Sequence, residues 1–241
     1  MKQTFRMMLV AAMAMLTVAN AGCSKDESNN NNANNGGDGG GNVPAGWVDL
    51  GLPSGLLWAE CNVGANAPEE YGDYYAWGET QPKDVYSWST YRYCTVNGEG
   101  NVVTLTKYNT KNYYGTVDSL TTLEPVDDAA TANIGNEART PTKADWEELM
   151  NTTTAEWTTL NGVNGRKFTG PNGNSVFLPA AGFRIGSESR NAGYSGNYWS
   201  SSLNTTGDPA NAWRFGFSSD EQNHFDLIRY RGLRVRAVRS R

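Results

Sequence analysis

The strongest constraint on the fold is the alternation of apolar and polar residues in the last third of the chain. Residues 213–217 (WRFGF) and 233–237 (LRVRA) place an apolar side chain at every second position. Two further short segments, 167–169 (KFT) and 175–178 (SVFL), flank a Pro-Asn-Gly turn. Because successive side chains of a strand point to opposite faces, this period predicts antiparallel sheet with a buried face. We therefore expect strands throughout the region after about Gly162.

An opening hairpin and two helices are predicted ahead of these strands. Residues 47–51 and 56–59 flank a turn with proline in its second position and glycine in its fourth. Thr142 and Asp145 form a variant of the capping box. An apolar stripe follows at Trp146, Leu149 and Met150. A second helix is expected near 127–133, and 71–114 is expected to be mostly loop, so the predicted class is α+β.

Charge and residue usage narrow the possible functions. The chain has 20 basic and 25 acidic residues, a formal net charge of −5, which argues against a nucleic-acid partner. His224 is the single histidine, and the three cysteines form no CxxC or Cys/His cluster, so no metal or other cofactor is predicted. No nucleophile or acid–base pair is recognisable, which favours a non-catalytic protein.

The first 46 residues predict an export signal, an anchor and a tether. Lys2 and Arg6 precede an apolar run, 7–19, which is too short for the roughly 20 residues of a membrane span. The small residues before Cys23 resemble a bacterial lipobox, so 1–22 is expected to be a lipoprotein signal peptide and Cys23 the lipid-attachment site. Ordinary secretion with a free Cys23 is the alternative. The Asn/Gly-rich remainder of 23–46 is expected to be a disordered linker, and 47–241 the folded domain.

Several short motifs occur in an order that resembles a known family. They are VDLGLPSGLLWA at 48–59, YGDYYAWGE at 71–79, RTPT at 139–142, LPAAG at 178–182, YWSS at 198–201 and GLRVR at 232–236. This order resembles the Fibrobacter succinogenes major paralogous domain, common in Bacteroidetes surface proteins. The resemblance implies a C-type lectin-like fold, with two helices packed on small antiparallel sheets, long loops and chain ends brought together.

The resemblance extends to location and modification. Residues 24–28 (SKDES) resemble the export tag of Bacteroidetes surface lipoproteins, which implies an outer-membrane anchor facing the cell exterior; a periplasmic orientation is the alternative. Ser119, in Asp118-Ser119-Leu120, resembles an O-glycosylation site of Bacteroidetes envelope proteins. The strand Trp199-Ser200-Ser201 lacks the carboxylate with which calcium-dependent lectins of this fold bind their ion, so no calcium site is expected.

Three sets of residues remain as candidate sites. Aromatic side chains in the loop region are candidate ligand contacts, or alternatively they pin the loops to the core: Tyr74, Tyr75, Trp77, Trp88 and Tyr91. Cys61 and Cys94 are candidates for a disulfide, with two buried thiols as the alternative. The arginines after residue 228 are expected on an outward strand face beside acidic neighbours, with an anionic-polysaccharide site as the alternative.

Together these features predict a lipid-anchored surface protein whose domain recognises a glycan or a protein. A structural subunit of a surface assembly is the second hypothesis. The third is an enzyme distantly similar to formylglycine-generating enzymes, but those need a cysteine pair near the end of the domain. Cys61 and Cys94 lie too early for that role.

Overall fold

The computed structural model describes residues 43–98 and 102–241. The predicted signal peptide, Cys23 and nearly all of the predicted linker lie outside the described residues.

Within these two ranges the chain forms small antiparallel sheets and two α-helices. The strands are Trp47–Asp49 (β1), Leu57–Asn62 (β2), Cys94–Val96 (β3), Val102–Leu105 (β4), Thr154–Leu160 (β5), Val163–Thr169 (β6), Ser175–Pro179 (β7), Ala181–Ile185 (β8), Glu188–Ala192 (β9), Gly196–Leu203 (β10), Asn211–Phe217 (β11), Gln222–Ile228 (β12) and Arg236–Arg239 (β13). The α-helices are Ala129–Ile134 (α1) and Lys143–Thr152 (α2), and single 3-10 turns lie at Trp88–Thr90, Asn112–Tyr114 and Pro125–Asp127. The sheet orders are β1-β2-β13, β10-β11-β12, β5-β6-β7, β3-β4 and β8-β9. The predicted α+β class with long loops is confirmed.

The first sheet brings the two ends of the domain together. The turn between β1 and β2 closes with a hydrogen bond from the Gly55 N–H to the Leu52 carbonyl, 2.9 Å, as the Pro-Ser-Gly turn predicts. Trp47 lies opposite Ala59 across the hairpin. Strand β13 pairs with the other edge of β2, so the last strand closes the sheet that the first strand opens.

Helix α2 begins where the capping signal predicts. The Thr142 hydroxyl accepts the Asp145 N–H and the Asp145 carboxylate accepts the Thr142 N–H, which satisfies two backbone donors of the first turn. Trp146 on its buried face packs with its ring centroid 4.8 Å from those of Trp58 and Phe215. The helix therefore connects the first sheet to the β10-β11-β12 sheet.

Strand β10 lies between two hydrophobic cores. Its consecutive residues Tyr198 and Trp199 point to opposite faces, as strand geometry requires. Tyr198 joins Phe215 and Trp146 in the helix-side core. Trp199 joins Trp77 and the other buried aromatics of 75–93 in the loop-side core. Both faces of β10 are therefore buried.

Indole N–H groups attach the loop region to β10. The Trp77 Nε1 donates to the Ser200 carbonyl at 2.7 Å, and the Trp199 Nε1 donates to the Tyr75 carbonyl at 2.8 Å. On the other face, Trp146 Nε1 donates to the Trp199 carbonyl at 3.3 Å. The two β10 acceptors, the carbonyls of Trp199 and Ser200, lie where the β10–β11 register shifts, so indole donors satisfy carbonyls near an irregularity of the ladder.

The prediction that the C-terminal arginines lie on an outward strand face is wrong for three of them. Arg229 and Arg236 are fully buried and Arg234 is 3% exposed, whereas the alternation predicts an outward, charged face. The reason is that their partners are backbone carbonyls and aromatic rings from distant segments, which a local pattern cannot reveal. A buried charge normally needs compensation, and among the described residues backbone carbonyls provide it.

Arg236 joins three strands from two sheets. Its Nη1 donates to the Ala59 carbonyl at 2.9 Å and also to the Glu60 carbonyl. Its Nε donates to the Asn62 side chain at 3.0 Å, and its Nη2 donates to the Phe177 carbonyl of β7 at 2.8 Å. Burial lowers the pKa of Arg236 to about 10, so the guanidinium is still charged at pH 7.

Arg229 plays the corresponding part in the loop region. Its Nη1 donates to the carbonyls of Lys107 and Tyr108, both at 3.2 Å. Its guanidinium carbon lies 5.5 Å from the ring centroid of Trp77 and 5.7 Å from that of Tyr91, a cation–π arrangement. One arginine therefore connects the 77–91 and 107–108 segments inside the protein.

We predict that Arg236→Met strongly destabilises the fold. The substitution keeps an unbranched side chain but leaves several buried carbonyls without donors, at about 1–3 kcal/mol each. The free energy of unfolding, measured with urea on the full chain, should fall by at least ~2 kcal/mol. The control is Arg190→Met, which removes a surface pair with Glu188 and should cost no more than ~1 kcal/mol. Equal losses in the two variants would contradict the structural role of Arg236.

The histidine of strand β12, His224, tests how burial of a titratable side chain affects the stability of the fold. Neither ring nitrogen has a hydrogen-bond partner among the described residues. The ring packs against Phe215, and Lys143 and Glu147 of α2 are the charged groups that act on it. Burial is the main cause that lowers its pKa below the ordinary histidine value, and Lys143 adds to this effect.

We predict that stability falls between pH 7 and pH 5 because of His224. The unfolded chain takes up a proton near the ordinary histidine pKa, about 6.5, whereas the folded chain does so only at lower pH. Stability from neutral His224 is therefore present above pH 6.5 and lost as pH falls toward the folded pKa. Urea midpoints at pH 7, 6 and 5 should show this slope in the wild type and a weaker one in His224→Gln. An unchanged slope in the variant would assign the pH dependence to other groups.

Candidate functional site

Three of the predicted ligand contacts are buried. Tyr75 and Trp77 are each 1% exposed and Tyr91 is 4% exposed, so they offer no open face to a ligand. The Tyr91 hydroxyl donates to the Trp77 carbonyl at 2.8 Å, which shows that the polar tip is used internally. These three positions are wrong as ligand contacts, and the alternative interpretation, that such aromatics pin the loops to the core, is correct for them.

A small cavity lies beside two of these rings. It is lined by Tyr75, Trp77, Leu123, Ala129 and Val235, among others, and its volume of about 10 Å³ fits one water molecule. A sugar ring or an amino-acid side chain is much larger than this space. The cavity is therefore a packing gap in the loop-side core.

A buried carboxylate network stabilises the same loops. Asp127 accepts hydrogen bonds from the Tyr93 hydroxyl at 2.5 Å, the Tyr108 hydroxyl at 2.6 Å and the Lys107 ammonium at 2.5 Å. Burial alone would raise the pKa of Asp127, but these donors outweigh it and hold the pKa below the ordinary value. The network therefore fixes Asp127 as an anion that joins the 93, 107–108 and 127 segments.

The predicted disulfide is also corrected. Cys94 is a free thiol whose Sγ lies 3.2 Å from the Trp88 carbonyl, to which it donates. Cys61 lies in β2 of the first sheet, whereas Cys94 lies in the β3-β4 hairpin. The thiol of Cys94 is directed to its own loop, so it forms no bond with Cys61.

Ser119 lies on the surface, in a loop. Its side chain is exposed and its backbone has a φ of 58°, an uncommon conformation for a residue other than glycine. Its neighbour Asp118 accepts N–H groups from Tyr108 and Asn109, which fixes the loop beneath the serine. O-glycosylation of Ser119 stays a prediction.

The fourth predicted contact, Trp88, belongs to a half-exposed cluster that we call the aromatic–arginine patch: Trp88, Phe183, Tyr230 and Arg231. The ring centroids of Trp88 and Tyr230 are 4.9 Å apart in an edge-to-face arrangement. The Arg231 guanidinium carbon lies 5.5 Å from the Phe183 centroid and 5.6 Å from that of Tyr230. The patch thus presents apolar rings beside a cation.

Arg231 is not neutralised by any carboxylate within 4 Å among the described residues, and its Nε has no hydrogen-bond partner there. Elsewhere in these ranges, eight ion pairs occupy Lys83, Lys107 (in two pairs), Arg139, Lys143, Arg190, Arg239 and Arg241. Sequence reasoning missed Phe183, Tyr230 and Arg231 as a group because they meet Trp88 only after the chain folds.

Tyr74, the fifth predicted contact, lies in a separate stack that we call the tyrosine–arginine ladder: Tyr71, Arg234, Tyr74, Arg184 and Tyr86. The guanidinium carbons of Arg234 and Arg184 lie 3.3 and 5.7 Å from the Tyr74 ring centroid. Arg234 also lies 5.7 Å from Tyr71, and Arg184 lies 6.0 Å from Tyr86. Because Phe183 and Arg184 are consecutive in β8, their side chains leave opposite faces of that strand.

Residues 43–98 and 102–241 contain no group of three or more His, Cys, Asp or Glu side chains placed to hold a metal ion. In the same ranges, no helix combines the length and apolar character needed to cross a bilayer.

Comparison with protein-family models, with curated proteins and with solved structures finds no match to this chain. The candidate site therefore rests on the geometry of the aromatic–arginine patch and of the tyrosine–arginine ladder.

Proposed function

We propose that the protein is a lipid-anchored cell-surface protein whose domain, 47–241, is a non-catalytic recognition module for a glycan or a protein. The ligand contacts the aromatic–arginine patch. The observation that carries this proposal is a set of half-exposed rings from three distant segments, gathered around an arginine that has no carboxylate partner in residues 43–98 and 102–241.

The chemistry of the patch suits recognition. Tyrosine and tryptophan provide large apolar faces with polar tips, and together with arginine they are the residues most enriched at energetic centres of interfaces. Apolar ring faces pack against the C–H surfaces of sugars or against aliphatic side chains. The half-exposed guanidinium of Arg231 adds a charged contact for a ligand oxygen.

The proposed fold is C-type lectin-like, as in the Fibrobacter paralogous domain. Support comes from two helices packed with small antiparallel sheets, from the extended loop region and from β13 closing the sheet begun by β1. A rigid framework with ligand contacts on its loops is a common arrangement in binding proteins. Trp88 and Tyr230 both lie in connecting segments of this kind.

The proposed anchor is an acylated Cys23 in the outer membrane, with the domain facing the cell exterior. Support comes from the basic residues, short apolar run and small residues that precede Cys23. The Asn/Gly-rich linker gives the domain reach without fixing its orientation. This arrangement suits the search for ligands beyond the membrane surface.

We predict that Trp88→Ala weakens ligand binding by about 30-fold, the effect of losing an energetic centre of about 2 kcal/mol. The full chain is tested in detergent on a glycan array and against purified surface proteins, by direct titration of each ligand found. The matched control is Tyr194→Ala, since Tyr194 is 78% exposed and lies outside the patch. The proposal fails if the wild type binds no ligand in either test, or if both variants bind like the wild type.

We predict that Cys23→Ser releases the protein from the membrane. Removal of the acylated thiol leaves no covalent lipid, and the linker itself contributes little apolar surface. Cell fractionation should move the variant from the membrane to the soluble fraction. Intact mass of the wild type should exceed that of residues 23–241 by the mass of acyl groups. A wild-type mass without them would contradict the anchor.

A further inference from the structure

We propose that the tyrosine–arginine ladder is a second binding site, where the carboxylate of an acidic sugar binds the half-exposed Arg184 beside the buried charge of Arg234. This site is separate from the aromatic–arginine patch, because Arg184 and Phe183 leave opposite faces of β8. Binding at the ladder is therefore tested independently of ligand binding at Trp88.

The ladder concentrates positive charge without an opposite charge. The guanidinium groups of Arg184 and Arg234 both lie close to the ring of Tyr74, and neither forms an ion pair within 4 Å among the described residues. Asp73 acts weakly on Arg234 but does not contact it as an ion pair. Two unneutralised cations beside one ring are unexpected in a chain whose net charge is −5.

The hydrogen-bonding capacity of both guanidinium groups is largely unused. Arg234 donates from Nη1 to the Gly72 carbonyl, and Arg184 donates from Nη2 to the Ser187 carbonyl at 3.3 Å. The Nε atoms of both arginines are buried without a partner in the described residues. Each guanidinium has five N–H donors, so both keep donors beyond these carbonyl bonds, and those of Arg184 that face solvent are open to a ligand oxyanion.

Burial explains why an anion would be favoured here. Arg234 is 3% exposed, and desolvation is the main cause that lowers its pKa below the ordinary arginine value. The charge is thus removed from water without a counter-ion, which costs free energy. Arg184 is half-exposed and gives a ligand access to the stack from solvent.

The surroundings favour a sugar acid over a bare ion. The Tyr74 hydroxyl donates to the Ala181 carbonyl at 3.0 Å and lies 2.7 Å from the exposed Ser189 hydroxyl. Ser189 therefore sets a hydroxyl group at the open side of the ladder. A sugar acid supplies both a planar carboxylate for the guanidinium groups and hydroxyls for such a partner.

The test is calorimetric titration of the full chain with an oligogalacturonate, and with a neutral galactose oligomer of equal length. We expect binding of the acidic oligomer at least tenfold tighter than that of the neutral one, and weaker binding as salt is raised. Titrations with sodium acetate and with sodium sulfate show whether the site recognises the sugar acid or any small anion. Binding of these salts as tight as that of the oligomer would overturn recognition of a sugar, and so would equal binding of the two oligomers.

Variants locate the site. Arg184→Ala should weaken oligogalacturonate binding at least tenfold, whereas Arg190→Ala, in the adjacent strand and already paired with Glu188, should change it less than twofold. Trp88→Ala should leave this binding unchanged, which separates it from the patch. A thermal melt shows whether Arg184→Ala is folded, and Arg184→Lys is used if it is not, with the same direction expected. Unchanged affinity in the folded Arg184 variant, or equal losses at Arg184 and Arg190, would show that the ladder is purely structural.

Discussion

The fold depends on buried arginine side chains that donate to backbone carbonyls of distant segments. Arg236 closes β13 against β2 and β7 by this means, and Arg229 connects two loops through carbonyls and the rings of Trp77 and Tyr91. A long loop region has few ladder hydrogen bonds, so its carbonyls must find other donors. One guanidinium with five donors can serve several of them at once. The cost is a buried charge, which the carbonyl dipoles and aromatic faces offset.

These buried arginine contacts occupy the interior aromatic side chains, which leaves the aromatic side chains at the edge of the core available to bind a ligand. The aromatic residues nearest the buried arginines and β10, such as Tyr75 and Trp77, use their rings and polar groups inside the protein. Trp88 and Tyr230 lie at the rim, where the two rings pack edge to face and remain half-exposed. A rigid interior with half-exposed aromatics at its edge favours recognition, since little side-chain entropy remains to be lost on binding.

Local signals in the sequence predicted the regular elements well. The capping pair at Thr142 and Asp145 predicted the start of α2, and the period-two run at 213–217 predicted β11, because both depend on neighbours in sequence. The burial of Arg236 was not predictable in this way. Its alternation with Val235 indicates an exposed face, and only the folded arrangement shows that its partners come from β2 and β7. The aromatic–arginine patch around Trp88 was not predictable from the sequence for the same reason.

The most direct test of the account is the NMR spectrum of the arginine Nε–Hε groups in the folded full chain. Arg229, Arg234 and Arg236 should give dispersed signals whose Hε exchanges slowly with water, while the exposed Arg190 should exchange rapidly. That outcome would establish that these guanidinium groups are held inside the protein, protected from water. Rapid exchange at all four arginines would contradict it, because groups that exchange so freely cannot hold these strands and loops together.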